Sequence, residues 1–167
     1  MNVFEKVTFA QYLSDWRDAF KLDWYSDEEV REVYDGIKIP QRSTKDSAGY
    51  DFYCPYEIAV NKKMPSTVLT GIRCKIDPGN VLLIFPRSSL ATKKGLVLAN
   101  TCGIIDSDYY DAKNEGHIIL KMRCDRDEGY TIKEDERVAQ GIIFPFVVAE
   151  NGNTDAERIG GFGSTGK

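Results

Sequence analysis

The sequence predicts an all-β barrel or jelly roll carried behind an N-terminal helical segment. Three observations point there. From residue 37 onward the chain breaks into short strand-like runs, at 68–76, 81–85, 96–99, 117–123 and 138–148. Turn signals separate the runs, notably Asp77-Pro78-Gly79-Asn80 and Asp127-Glu128-Gly129. Residues 8–36 instead space their apolar side chains as a helix does. Many short strands joined by regular turns close most readily into a barrel or jelly roll.

Within the first segment, Phe9, Tyr12, Leu13, Trp16 and Phe20 share one helical face. Thr8 with Gln11 has the form of a capping box, and Ser26 with Glu29 repeats it before Val30, Val33 and Tyr34. Gly36 is a natural helix stop. The expected division is a helical extension at 1–36, a β-barrel at 37–157 and a flexible arm at 158–167 rich in Gly, Ser and Thr. At 167 residues the chain is long enough for one domain with its own core.

Composition excludes several classes. Apolar residues make up 42% and charged residues 29%, the balance of a soluble globular protein. Lys and Arg total 22 against 26 Asp and Glu, so the net charge is -4. Such a chain has no global attraction for nucleic acid or anionic lipid. A bound polyanion has to be met by a local cluster of donors. The four cysteines, Cys54, Cys74, Cys102 and Cys124, form no CxxC pair, and His117 is the only histidine. That pattern argues against zinc and for buried, reduced thiols in a cytosolic protein. No signal pattern and no stretch of ~20 apolar residues is present, so a cytoplasmic location is expected.

Five segments carry residues suited to chemistry. Ser47-Ala48-Gly49-Tyr50-Asp51 sets a glycine near a carboxylate that could hold a metal-bound water. In 86–95, a strand ending at Pro86 is followed by Arg87, Ser88 and Ser89. A guanidinium, hydroxyls and free backbone N–H groups suit phosphate oxygens, and a helical turn at 89–94 would add its dipole. In 100–110, Asp106 and Asp108 crowd beside Tyr109, so one carboxylate could orient and deprotonate a water. Arg137 and Gln140 interrupt an apolar strand; inward polar residues are costly unless they face a ligand or a carboxylate such as Asp51. The glycine-rich tail 158–166 offers Arg158, Ser164 and Thr165 as donors and Phe162 as a stacking face. Taken singly, each segment also reads as an ordinary turn, hairpin loop or loose terminus.

Together, and in order, the five strings resemble the five motifs of the homotrimeric dUTPases: AGYDF, PRSSLATKKG, GIIDSDY, ERVAQ and RIGGFGSTG. The resemblance runs from about residue 37 to the C-terminus. It implies a jelly-roll-like distorted barrel whose three copies share active sites at their interfaces. It implies hydrolysis of dUTP to dUMP and pyrophosphate, which limits uracil in DNA and supplies dUMP for thymidylate synthesis. By the same resemblance Asp106 is the catalytic residue that orients water toward the α-phosphorus. Tyr109 packs under deoxyribose and excludes a 2′-hydroxyl. Asn100, Gly103 and Ile105 pair with uracil. Arg87, Ser88, Ser89 and Gln140 bind phosphate, and Arg158, Gly163, Ser164 and Thr165 wrap the far end of the triphosphate while Phe162 covers the base. Asp51 reaches a Mg²⁺ cofactor through water, and Arg137 is structural.

Three departures from the family pattern stand out. Residues 110–115 intervene after Tyr109 where many members run directly into x-Gly-x-Ile or x-Gly-x-Val, leaving His117 as a structural or solvent-facing residue. One residue separates Arg158 from the glycine run where many members have two. Residues 1–36 are extra; their aromatic side chains are expected to pack on the barrel, with a protein partner for the helices as the alternative. Two other activities compete with the first: a dCTP deaminase, which should carry a catalytic Glu near the third motif, and a regulatory binding protein on the same scaffold. Neither direct nucleic-acid binding nor membrane association is expected.

Overall fold

The computed structural model describes residues 1–21 and 25–152. In chain order the elements are β1 (Val3–Lys6), α1 (Phe9–Phe20), α2 (Asp27–Gly36), β2 (Gln41–Arg42), β3 (Tyr50–Tyr53), β4 (Ile58–Val60), β5 (Ser66–Leu69), β6 (Ile72–Lys75), β7 (Asn80–Pro86), α3 (Ser88–Lys94), β8 (Leu96–Leu98), β9 (Gly103–Ile105), a 3-10 turn (Ser107–Asp111), β10 (Ile119–Cys124), β11 (Tyr130–Ile132) and β12 (Arg137–Pro145). The strands form four small antiparallel sheets, ordered β1-β6, β5-β10-β8, β11-β4 and β2-β3-β12-β7-β9. Together they make the jelly-roll-like barrel that the strand pattern implied.

The helices form where the caps say they should. The Thr8 side chain accepts from the Gln11 backbone N–H at 3.2 Å. The returning half of that box is absent, because the Thr8 N–H is taken by Glu115, 107 residues away, at 2.7 Å. At α2 both halves of the Ser26–Glu29 box are present. Asp27, Glu28 and Glu29 occupy its first turn, where the helix dipole favours negative charge.

The extension is more than helical. Its first residues form β1, which the sequence reading missed, and β1 pairs with β6 of the barrel. The predicted run 68–76 is split between β5 and β6 by Thr70-Gly71, where Gly71 turns the chain at a φ of +69°.

One core joins the helices and the barrel among the described residues. Tyr12, Trp16 and Val30 are buried in the same cluster as Phe52, Leu82, Ile84, Leu120 and Ile132. Trp16 stacks edge-on against Tyr56 at 5.0 Å, and Tyr12 lies 5.9 Å from the His117 ring. Burial pushes the hydroxyls of Tyr12 and Tyr56 well above the usual tyrosine range, so both stay neutral. The four cysteines are free thiols, and all but Cys102 are buried. Burial raises the thiols of Cys54 and Cys74 to about 12.

Two outcomes follow. Replacing Trp16 by Ala should cost about 3–5 kcal/mol in urea unfolding, the usual loss for a buried large aromatic. Trp16→Phe should cost far less, because the indole N–H has no hydrogen-bond partner among the described residues. Native protein at pH 8 should expose a single rapidly reacting thiol, Cys102, to an aromatic disulfide reagent. Protonated and shielded, Cys54 and Cys74 should react only after denaturant is added.

Candidate active site

The first cluster sits where β3, β12 and β7 meet. β12 is hydrogen-bonded on both sides, so Gln140 stands opposite Asp51 on β3 and opposite Phe85 on β7. Cross-strand neighbours share a face, as do residues two apart. Asp51, Tyr53, Gln140, Phe85 and Arg87 therefore look the same way. Arg137 should not, since it lies three residues from Gln140. A bulge between Arg137 and Ala139 corrects this: Arg137 pairs with Tyr53 and Ala139 with Phe52, so one extra residue on β12 flips the strand. Val138 and Ala139 are consecutive and both fully buried, as the flip requires.

The bulge brings three motifs to one carboxylate. Asp51 is 5% exposed. Its Oδ1 is 3.1 Å from Arg87 Nε, and its Oδ2 accepts from Arg137 Nη1 at 3.3 Å and from Ser43 Oγ at 2.6 Å. Two guanidiniums against one carboxylate leave a local positive surplus, in a protein that is acidic overall. Ser88 and Ser89 follow directly at the start of α3, and both are exposed. Gly49 lies close to Gln140: a Cβ there would stand 2.9 Å from Gln140 Oε1, so the amide would have to shift. This end of the sheet gathers donors of the kind that suit an anion.

The second cluster is an apolar cleft of about 260 Å³ between β7–β9 and β8–β10. Asn100, Gly103 and Ile105, singled out from the sequence, line it together with Ile84, Leu98 and Ile118. A planar ring could lie there with the polar edge of Asn100 and strand backbone at its rim. Asp106 follows Ile105 directly and caps the 3-10 turn, whose Tyr109 N–H donates to the Asp106 carbonyl at 3.1 Å. Asp106 is thus a half-buried carboxylate one residue beyond the cleft-lining Ile105.

Tyr109 is buried, with its hydroxyl donating to the His117 carbonyl at 2.9 Å. His117, expected to be structural or solvent-facing, is wholly buried and structural. The inserted residues 110–115 complete the 3-10 turn and close a loop at Gly116. A hydrogen bond to Glu5, together with burial, raises the Tyr110 hydroxyl above the usual tyrosine range.

The two clusters are far apart in one chain. Ile105 pairs with Leu82 near the start of β7, whereas Arg87 lies beyond its end. Strand rise places Asp106, at the Val81 level, roughly 20 Å from Arg87 along β7. Arg158, Phe162, Gly163, Ser164 and Thr165 lie outside the described residues. Sequence reasoning missed Ser43 and the cleft wall from β10, since neither carries a motif. It also assigned Arg87 to phosphate alone, whereas here the residue is also a counter-ion to Asp51.

No group of three or more metal-ligating side chains occurs among the described residues. A divalent cation at Asp51 would have to draw most of its oxygen ligands from a bound phosphate and water, as Mg²⁺ commonly does. The donor set fits an ion of that kind and not a dedicated cage.

The dUTPase family model matches residues 35–166. The deoxyuridine 5'-triphosphate nucleotidohydrolase of Lactococcus lactis subsp. lactis (strain IL1403) is 45% identical over 134 residues, covering 78% of this chain and 89% of the relative. That of Nautilia profundicola is 36% identical over 144 residues, covering 83% and 98%. The crystal structure of dUTPase from Streptococcus mutans has a TM-score of 0.67 at 34% identity, covering 89% of this chain and 98% of that one. That share is more than residues 35–167 hold, so the likeness reaches into the N-terminal segment.

The loop after Tyr109 yields a test. A Cβ on Gly116 would sit 2.7 Å from the Tyr109 carbonyl, at a φ of +69°. Gly116→Ala should destabilise the protein by about 1–3 kcal/mol, the range for overpacking at a closed site, measured by urea unfolding.

Proposed function

The chain belongs to the dUTPase family, and from that premise we propose how its residues hydrolyse dUTP to dUMP and pyrophosphate. The reading is carried by one observation. The half-buried Asp106 directly follows Ile105, which with Asn100 and Gly103 lines an apolar, ring-sized cleft. The base occupies the cleft, and strand backbone with Asn100 reads its polar edge. Tyr109 lies under the sugar, with no room for a 2′-hydroxyl.

Asp106 holds a water in line with the α-phosphorus and takes its proton as the oxygen attacks. A new P–O bond forms, the bridging bond to the β-phosphate breaks, and pyrophosphate leaves with the electron pair. Arg87, Ser88, Ser89 and Gln140 hold the phosphates and offset the charge that builds on them. Arg158, Gly163, Ser164 and Thr165 do the same for the far end, and Phe162 covers the base. Asp51 would hold Mg²⁺ through water, and the ion would supply charge neutralisation for the leaving group. Arg137 stays structural, as the second guanidinium on Asp51.

The site is completed between copies. Roughly 20 Å of strand separates Asp106 from Arg87, more than a triphosphate can bridge, so donor and acceptor halves come from different chains. Exposed apolar residues gather at the Asp106 end. Phe144 pairs with Val81 there, Ile104 is 66% exposed and Val147 is 98% exposed. Patches of that kind mark subunit contacts. A homotrimer satisfies both facts. None of the described helices is long and apolar enough to cross a membrane, in keeping with action on a free nucleotide in the cytoplasm.

Pyrophosphate release should be brisk with dUTP and Mg²⁺ and weak with UTP, dTTP or dCTP. Ammonia from dCTP would overturn the assignment. Asp106→Asn should bind dUTP normally while turnover falls by about 10²–10⁴-fold, the usual worth of a positioned base. Unchanged turnover would remove Asp106 from its role.

A further inference from the structure

Three features outside the shared chemistry meet in one place: the segment before the barrel, the residues inserted after Tyr109, and the only histidine. His117 Nε2 accepts from the Gly71 backbone N–H at 2.8 Å. The ring proton must therefore be on Nδ1, from which it is donated to Asp15 Oδ2 on α1 at 2.6 Å. The His117 carbonyl accepts from the Tyr109 hydroxyl. The next residue, Ile118, lines the cleft, and its N–H donates to the Ile72 carbonyl at 2.8 Å.

The same segment grips the insertion twice more. Both carboxylate oxygens of Glu115 are used by Thr8, one by its N–H and one by its hydroxyl, each at 2.7 Å. Glu115 needs that hold, since it has a φ of +55° without being glycine. At the other end of the insertion, the Tyr110 hydroxyl donates to Glu5 at 2.7 Å. Arg73 pairs with Glu5 at 3.1 Å and lies over the Tyr110 ring at 4.3 Å. Glu5, Thr8 and Asp15 thus fix residues 110, 115 and 117, the two ends of the loop and the residue that anchors Tyr109.

We propose that the N-terminal segment is a brace for the sugar-binding wall of the nucleotide site, with Asp15 and Thr8 as positioning residues that set the preference for deoxyribose through His117, Glu115 and Tyr109. The inference rests on the dUTPase reading for its substrate. Its logic is mechanical. A wall that rejects one hydroxyl has to be held to a fraction of an ångström; within the loop Asn114 Nδ2 donates to the Tyr109 hydroxyl at 2.8 Å, and the N-terminal segment fixes the ends of that loop from outside.

The test compares kcat and KM for dUTP and UTP in the full chain, as wild type, Asp15→Ala, Asp15→Asn and Glu115→Asn. Asparagine at 15 keeps an oxygen acceptor for His117 Nδ1–H, and asparagine at 115 tolerates the positive φ but is too short to reach Thr8. Asp15→Ala and Glu115→Asn should raise KM for dUTP more than they lower kcat, and should cut the dUTP-over-UTP preference about tenfold. Asp15→Asn should recover most of it. A preference kept within about twofold in both folded variants would overturn the brace, as would equal losses on both nucleotides with KM unchanged. Should Asp15→Ala fail to fold, Glu115→Asn decides alone. Amide hydrogen exchange at 107–118 is read in parallel. Faster exchange in the variants supports the brace, and unchanged protection overturns it, whatever nucleotide the wild type cuts. Wild-type protein inert to dUTP would count against the substrate assignment only.

Discussion

The cluster around Asp51 depends on β12 being paired on both flanks while carrying one surplus residue. Pairing fixes Gln140 between Asp51 and Phe85. The bulge at Val138 rotates Arg137 onto the same face. Without the pairing, Asp51 and Arg87 would belong to unrelated strands; without the bulge, Arg137 would point into the core and Val138 into water. Burying Asp51 is tolerable because two guanidiniums and a hydroxyl meet its oxygens. That cluster in turn keeps Arg87 extended beside Ser88 and Ser89. Geometry, charge and burial here are one constraint expressed three ways.

A second constraint is distance. A single strand, β7, carries the anion cluster beyond one end and pairs with β9 toward the other. Its stiffness forbids the two from meeting within a chain. Under the proposed function the fold keeps the base cleft apart from the phosphate donors, and association of copies would bring them together. The apolar residues left uncovered near Asp106 belong to the same economy: they are the surface that association would bury.

Much of this was legible in the amino-acid order. The aromatic stripe of α1, the Ser26–Glu29 box and the strand–turn rhythm each reflect local physics that a single segment expresses. The cleft residues Asn100, Gly103 and Ile105 were visible only through the resemblance of the segment around GIIDSDY to the third dUTPase motif. Other features were not legible, for nameable reasons. β1 is four residues long and half-buried, with no clean alternation to announce it. The bulge cannot be seen, because Arg137 and Gln140 at a spacing of three look like residues on opposite faces. Ser43 has no motif, and its role depends on β2 lying beside β3. Asp15 gave a faint signal as a carboxylate three residues after Tyr12 on the buried face, in a chain with one imidazole. Its partner lies 102 residues away, and no local rule connects them.

The bulge also bears on heredity. Side chains near 137–140 can be exchanged one at a time, and the strand will keep its frame. A codon lost or gained there shifts every later residue of β12 to the other face, exchanging core for solvent along the sheet's central strand. Lineages descending from such a gene should therefore drift in spelling through this stretch while holding its length fixed.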